Sequence, residues 1–182
     1  SLQQQHPGID LRIATADRIL DARAEGIDLA IRYAPADRPP PAAIRLFDET
    51  IIPVAHPSLG IAALDADTLS RHVLLEFDGS RRPLLQWSDH LGAFGLDDPQ
   101  PRGILRFNQY DQVIQAALAG RGIALGRRVL VEPLLAEGRL AAIGGSAAGR
   151  TSGHAYWLVQ TDETPREDVR AVVGWILDET RP

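Results

Sequence analysis

The alternation of apolar and polar positions divides the chain into short strands and helices. The clearest unit spans residues 103–128, which read GILRFNQYDQVIQAALAGRGIALGRR. Residues 104–107 form an apolar run that predicts a buried strand, and apolar positions from 113 to 118 predict one face of a helix that Gly120 ends. Residues 122–126 predict a second strand. This strand–helix–strand order is typical of a right-handed crossover between parallel strands, which directs the start of the helix toward the strand ends.

The start of this helix is a candidate binding site. Asn108 precedes the helix, where its side chain can cap backbone N–H groups, and Asp111 carries a carboxylate that suits the first turn. Bare N–H groups and the helix dipole favour negative charge at such a position. We therefore expect Asn108, Gln109 and Tyr110 to lie where a small ligand, preferably an anion, would bind.

Strands and helices also alternate near the beginning of the chain. Residues 9–14 (IDLRIA) alternate like a strand, and Thr15 can cap a helix that follows and ends at Gly26. Residues 27–33 (IDLAIRY) predict a further strand. The first part of the chain is therefore expected to repeat the strand–helix–strand order.

Two extended segments separate the predicted α/β regions. Residues 46–55 are expected to be extended and broken by Pro53, which makes this segment a candidate hinge, and residues 154–160 predict a second extended segment. Beyond it, the apolar spacing of residues 169–177 predicts an amphipathic helix. Two α/β regions joined in this way are typical of two small lobes with a ligand-binding cleft between them.

Composition limits the chemistry that the chain can perform. With 182 residues and 45% hydrophobic content, it can form one large domain or two small ones. The net charge of −5 argues against binding nucleic acid through this chain alone, because phosphate binding requires clustered cations. The sequence has no cysteine and no lysine, which excludes thiolate and Schiff-base chemistry. The five histidines show no metal-ligand spacing, so we expect no metal site.

No motif indicates catalysis. Gly120, Gly122 and Gly126 resemble a dinucleotide-binding fingerprint, but that fingerprint opens a helix after a strand, whereas these glycines end a helix and precede a strand. The sequence contains no G-x-S-x-G nucleophile motif, and its acidic residues are scattered without a recognisable carboxylate pair. We therefore expect no catalytic residue, no cofactor and no enzymatic activity.

Charged residues stand at the ends of two predicted strands, where ligands bind in open α/β sheets. Arg32 and Tyr33 end the strand at residues 27–33, and Arg127 and Arg128 follow the strand at residues 122–126. We expect Arg32 to contact a ligand. For Arg127 and Arg128, ligand binding and capping of the next helix remain alternatives.

Three motifs in a characteristic order carry a family resemblance: DLAIRY at 28–33, QAALAGRGIALG at 115–126 and EGRL at 137–140. Together they resemble the effector-binding domain of LysR-type transcriptional regulators, in the branch typified by the glycine-cleavage activator. The resemblance implies an α/β, two-lobed periplasmic-binding-protein-like (type 2) fold with Rossmann-like lobes and crossing hinge strands. It assigns residues 1–52 and 161–182 to lobe I and residues 53–160 to lobe II. It also implies that the first strand of lobe I and an N-terminal winged helix-turn-helix are absent from this chain.

The resemblance further implies a small-molecule effector bound between the lobes. It implies a homodimer or homotetramer in the cytoplasm, with DNA bound only through the absent N-terminal domain and no contact with a membrane. The residues expected to line the cleft are Thr15, Arg32 and Tyr33 from lobe I, and Ser80, Asn108, Gln109, Tyr110, Gly126 and Arg127 from lobe II.

The same fold allows other functions, because a fold does not determine what it binds. The main alternative is the solute-binding protein of a transport system. A transferase on a similar two-lobed scaffold would require a nucleophile or an acid/base cluster, and none is recognisable in the sequence.

Overall fold

The computed structural model describes residues 1–15, 21–79, 85–92, 95–96, 100–145 and 149–181. The chain divides into two compact units. Unit 1 comprises Ser1–Asp48 and Gly153–Pro182, and unit 2 comprises Glu49–Ser152. The predicted lobe boundaries, after residues 52 and 160, lie further along the chain than this division, and the assignment of lobes stays a prediction.

Helices and strands alternate along most of the described residues, as the apolar pattern predicts, and β1 and β2, like β6 and β7, follow each other without a helix between them. Two strands, β2 and β7, begin in one unit and end in the other. The helices are α1 (Leu2–Gln5), α2 (Ala66–Arg71), α3 (Ser88–Leu91), α4 (Tyr110–Leu118), α5 (Arg128–Ala136) and α6 (Glu167–Glu179), and the strands are β1 (Leu29–Pro35), β2 (Ile44–Ala55), β3 (Val73–Phe77), β4 (Gly103–Phe107), β5 (Ile123–Arg127), β6 (Ala141–Ala142) and β7 (Arg150–Gln160).

Unit 2 is built on a mixed sheet in the order β2–β5–β3–β4, with β6 paired to β2. β3 is parallel to both β4 and β5, and β2 is antiparallel to β5. The predicted crossover of strand, helix and strand is confirmed as β4, α4 and β5. The turn into β5 requires a glycine at position 122, because a Cβ there would overlap the carbonyl oxygen of Val73.

The sheet of unit 2 lies between two hydrophobic clusters. Alternate residues of each strand enter opposite clusters: Leu74 belongs to the first and Leu75 to the second. Trp87 is fully buried in the first cluster, where its indole N–H donates a 3.0 Å hydrogen bond to the Leu75 carbonyl. Trp87 therefore belongs to the packed interior of unit 2.

Unit 1 is built on an antiparallel ladder between β1 and β7. The ladder pairs Leu29 with Gln160 at one end and Pro35 with His154 at the other. The predicted amphipathic helix is confirmed as α6, which buries Val169 and Val172. Unit 1 therefore combines two distant parts of the sequence.

The strand predicted at residues 9–14 is wrong, because residues 9–15 have no regular secondary structure. A strand requires a neighbour for its N–H and C=O groups, and no ladder is assigned to this stretch among the described residues. Leu11 and Ile13 in this stretch are exposed, at 40% and 80%. The helix predicted after Thr15 falls largely on residues 16–20, which lie outside the described residues, and residues 22–26 form a turn that ends at Gly26 with φ +67°.

The break predicted at Pro53 is also wrong. β2 is continuous from Ile44 to Ala55, and Pro53 pairs with Leu125 of β5 within the ladder. Proline lacks a backbone N–H, but its carbonyl still accepts a 2.9 Å hydrogen bond from the N–H of Ile143. Pairing on both sides of the proline keeps the strand intact.

Candidate functional site

The carboxyl ends of the parallel strands of unit 2 form the candidate site. β3 and β4 end side by side at Phe77 and Phe107, and β5, parallel to β3, ends at Arg127. Helix α4 starts three residues after the end of β4, at Tyr110. Ligands of open α/β sheets bind at this edge. The structure thus places five of the expected residues in this region of unit 2: Asn108, Gln109, Tyr110, Gly126 and Arg127.

The start of α4 is exposed and differs from the prediction in one detail. Its N-cap is Gln109, with φ −126° and ψ 127°, so Asn108 lies one residue too early to be the cap. The Gln109 side chain makes no capping hydrogen bond. Both side chains face solvent, and Asp111 occupies the first turn as expected.

Tyr110 is held from two sides. Its hydroxyl accepts a 2.7 Å hydrogen bond from the backbone N–H of Arg127. The Arg127 guanidinium lies 5.1 Å from the centre of its ring, within cation–π range, and the Phe77 ring meets it edge-on at 6.4 Å. These contacts fix the first residue of α4 against the end of β5.

Arg127 is buried, in contrast to an arginine that would extend into a ligand site. It is 4% exposed, and its Nε lies 3.3 Å from Oε1 of Glu49, which is 2% exposed. Arg127 also occupies the N-cap position of α5, and Arg128, the first residue of that helix, pairs with Glu132 at 3.2 Å. The sequence pattern did not identify Glu49, because one carboxylate before an apolar run has no distinctive spacing.

Packing accounts for the glycine at position 126. A Cβ there would approach the side chains of Val54 and Val131 to 3.2 Å. Gly126 is buried between β2 and the start of α5. This close approach favours a glycine whether or not a ligand binds beside it, because a Cβ would require the two valine side chains to shift.

The unit 1 candidates lie in the middle of a strand and not at its end. β1 continues to Pro35, two residues beyond Tyr33. Arg32 pairs with Trp157 and Tyr33 with Tyr156 across the ladder. Since successive residues of a strand point to opposite faces of the sheet, Arg32 and Tyr33 cannot face the same ligand.

Tyr33 belongs to an aromatic cluster that the sequence pattern did not identify. Its ring stacks on His154 at 4.8 Å with an interplanar angle of 12°, and Tyr156 lies 5.3 Å from Tyr33. Phe47 lies 4.9 Å from Tyr156. All four side chains are half-buried. They come from β1, β2 and β7, and their proximity depends on a strand order that periodicity does not reveal.

The remaining candidates are Thr15 and Ser80. Thr15 is exposed in the stretch without regular structure, and Ser80 lies outside the described residues. Within the described ranges, no three histidine or acidic side chains are grouped so that they could hold a metal ion. No helix in the same part of the chain has the length and apolarity needed to span a membrane.

Comparison with known proteins places these features in a family. The model of the LysR substrate binding domain matches residues 1–181. The glycine cleavage system transcriptional activator of Escherichia coli K12 is 31% identical over 181 residues, which represent 97% of this chain and 57% of that protein. The chain therefore spans little more than half the length of this relative.

Two solved structures resemble the chain over nearly all of its length. The effector domain of the transcriptional regulator AmpR of Pseudomonas aeruginosa matches with a TM-score of 0.70 and 27% identity, over 98% of this chain and 85% of that one. The AmpR effector binding domain from Citrobacter freundii matches with a TM-score of 0.71 and 25% identity, over 98% and 87%. The fold is accordingly the type 2 periplasmic-binding-protein-like fold expected from the motifs. Because the family model matches residues 1–181, the chain belongs to the LysR substrate binding domain family.

Proposed function

We propose that the chain is the effector-sensing domain of a bacterial transcriptional regulator and that its effector is a small anionic metabolite. Membership of the LysR substrate binding domain family carries the first part of the proposal. The relatives named above are transcriptional regulators, which favours this function over transport and over catalysis. In this proposal, DNA is bound by a domain outside these 182 residues. The active regulator is a homodimer or homotetramer in the cytoplasm.

The start of α4 supports the anionic character of the effector. Asn108 and Gln109 are exposed there, and the Gln109 side chain makes no capping hydrogen bond. First-turn N–H groups and the positive end of the helix dipole attract a carboxylate or phosphate. This helix start lies at the carboxyl ends of β3 and β4, where the fold class binds ligands.

A thermal-shift screen of small metabolites tests the proposal. Carboxylates and phosphate esters are compared with their neutral amides or alcohols, so that each anion has a matched control of the same shape. A ligand present at 100 times its Kd stabilises a protein by about 2.7 kcal/mol, which corresponds to a rise in Tm on the order of 5–10 °C here. Stabilisation by neutral analogues alone would contradict the proposal of an anionic effector. Sequence-specific DNA binding by this chain alone would contradict the assignment of DNA binding to another domain.

Arg32 and Tyr33 provide a test of the site within unit 1. They lie on opposite faces of β1, so substitution of only one should change binding of the ligand found in the screen. Loss of a charge-assisted hydrogen bond costs about 1.5–3 kcal/mol, so Arg32→Ala should weaken binding roughly tenfold to a hundredfold. Tyr33→Phe is the matched control and should leave the affinity nearly unchanged.

Isothermal titration calorimetry measures both affinities, and calorimetric Tm values of the empty proteins report stability. An unchanged affinity for Arg32→Ala together with a large fall in Tm would show that Arg32 is structural. A selective loss for Tyr33→Phe would instead assign the ligand to the aromatic face.

A further inference from the structure

The buried pair of Glu49 and Arg127 is an unusual feature for the interior of unit 2. The side chains of Glu49 and Arg127 are 1% and 5% exposed, and Nε of the arginine lies 3.3 Å from Oε1 of the glutamate. Removing two charges from water costs several kcal/mol per ion, and their attraction often fails to exceed that cost. Replacing a buried ion pair by hydrophobic side chains of similar volume is often neutral or stabilising. Stability alone therefore does not explain why the pair is present.

The position of the pair indicates such a role. Glu49 is the first residue of unit 2 on β2, the strand that enters this unit from unit 1. Arg127 ends β5, and its main chain and guanidinium both contact Tyr110 at the start of α4. Three elements are thus linked through one side-chain network: β2 through Glu49, β5 through Arg127 and α4 through Tyr110.

We infer that Glu49 is a positioning residue for the effector site, because its carboxylate holds the Arg127 guanidinium against Tyr110 and so fixes the start of α4. The inference rests on the proposed function only in taking the start of α4 as the ligand end. Glu49 also balances the charge of Arg127, so anion recognition at this edge depends on the N–H groups of α4 and not on a free guanidinium. A ligand that displaces Tyr110 would also act on β2, because Arg127 and Glu49 connect the two.

The test follows Tyr110 and requires no effector. The chain contains three tyrosines, so ¹³C labelling of tyrosine rings gives three sets of signals that Tyr→Phe variants assign. Glu49→Gln should release Arg127 and shift the Tyr110 signal by more than either other tyrosine signal. Asp48→Asn is the matched control, because Asp48 is the preceding residue and pairs with Arg45 at an exposed position, so this change should leave Tyr110 unmoved.

A second variant protects the test against failure of Glu49→Gln to fold. Arg127→Lys keeps the charge but removes the Nε group and the planar guanidinium, so it should shift Tyr110 in the same direction. Combining the two substitutions should add little to either shift, because each interrupts the same contact. A fall in Tm with the Tyr110 signal unmoved, or two fully additive shifts, would overturn the positioning role. Either result would leave the proposed sensing function untouched, because that function is tested by ligand binding.

Discussion

Units 1 and 2 bury their apolar side chains in different ways. Unit 2 encloses its sheet between two large hydrophobic clusters, and strands β3, β4 and β5 follow one another along a short part of the chain. Unit 1 depends on the ladder that pairs Leu29 with Gln160. Its buried apolar side chains come from widely separated segments of the described chain: Leu2, Ala22, Ala155, Trp157, Leu158, Val169 and Val172.

The difference shows how sequence distance determines the kind of core that forms. Local crossovers bring apolar residues together with a small loss of chain entropy, and the resulting layers pack densely on both faces of the sheet. A ladder between distant segments costs more chain entropy to close and forms more slowly. Exposed large apolar side chains occur in both units, so the difference lies in how the buried residues are distributed along the chain: Leu11, Ile13, Ile31 and Ile44 are exposed in unit 1, and Ile104, Leu105, Val129 and Leu130 in unit 2.

Glycine substitutions should reveal the greatest difference in packing tolerance between the units. Gly122→Ala in unit 2 places a methyl group against the Val73 carbonyl and forces β3 and β5 apart, at a cost of about 3 kcal/mol or more. In unit 1, Gly174 lies inside α6, and a Cβ at this position would meet no neighbouring atom within 4 Å, so Gly174→Ala should stabilise the protein by about 0.5–1 kcal/mol. Urea unfolding measures both free energies. A tolerated Gly122→Ala would contradict the close packing of unit 2.

Leucine truncation provides a comparison of smaller size. Leu75 in unit 2 and Leu158 in unit 1 are both fully buried. Truncation to alanine costs about 2–5 kcal/mol, and the cost is highest where neighbours cannot relax into the cavity. We expect Leu75→Ala to fall near the upper end of this range and Leu158→Ala near the lower end.

Chemical denaturation of the two leucine variants in the same buffer gives the values. Equal losses would mean that the core of unit 1 is as rigid as that of unit 2, and a larger loss for Leu158→Ala would reverse the comparison.

The smallest expected effect is the loss of stability at low pH, and both units should show it. The Thr68 N–H, which donates a 2.8 Å hydrogen bond to Asp65 in unit 2, lowers the pKa of Asp65 below its ordinary value of 3.8. In unit 1 a hydrogen bond from Arg166 lowers the pKa of Asp168. A depressed carboxyl pKa stabilises the fold at neutral pH, and this contribution is lost as pH falls through the folded-state pKa.

The stability difference between the wild-type chain and Asp65→Asn, or Asp168→Asn, should therefore shrink between about pH 5 and pH 2. Both carboxylates are exposed, so the changes will be small. Urea midpoints measured at several pH values report them, and a difference that is independent of pH would contradict the assignment of the two shifts.

The sequence predicted unit 2 better than unit 1, for physical reasons. The crossover of β4, α4 and β5 depends on local periodicity and on Gly120, whose φ of +67° ends the turn after α4 as expected. The strand predicted at residues 9–14 depends on a neighbour that local pattern does not supply. Pro53 was expected to break β2, but pairing with β5 on both sides of the proline holds the strand together.

The candidate site was predictable only in part. The strand-end rule located Asn108, Gln109 and Tyr110, because it needs only the order of elements along the chain. Glu49 and the aromatic cluster around Tyr33 could not be predicted, since both require knowledge of which strands lie side by side. Arg32 and Tyr33 were expected at the end of a strand, but β1 continues to Pro35, so its pleat directs their side chains to opposite faces.

The division of unit 1 into two segments has a consequence for synthesis on the ribosome. Residues 49–152 form an uninterrupted stretch, so all of unit 2 is made before residues 153–182. At about 5–20 residues per second, residues 153–182 are synthesised within roughly 2–6 s. During that time the ladder between β1 and β7 is incomplete. Unit 2 can thus fold first. Because β2 and β7 connect it covalently to both segments of unit 1, the folded unit 2 then limits the distance over which β7 must find β1.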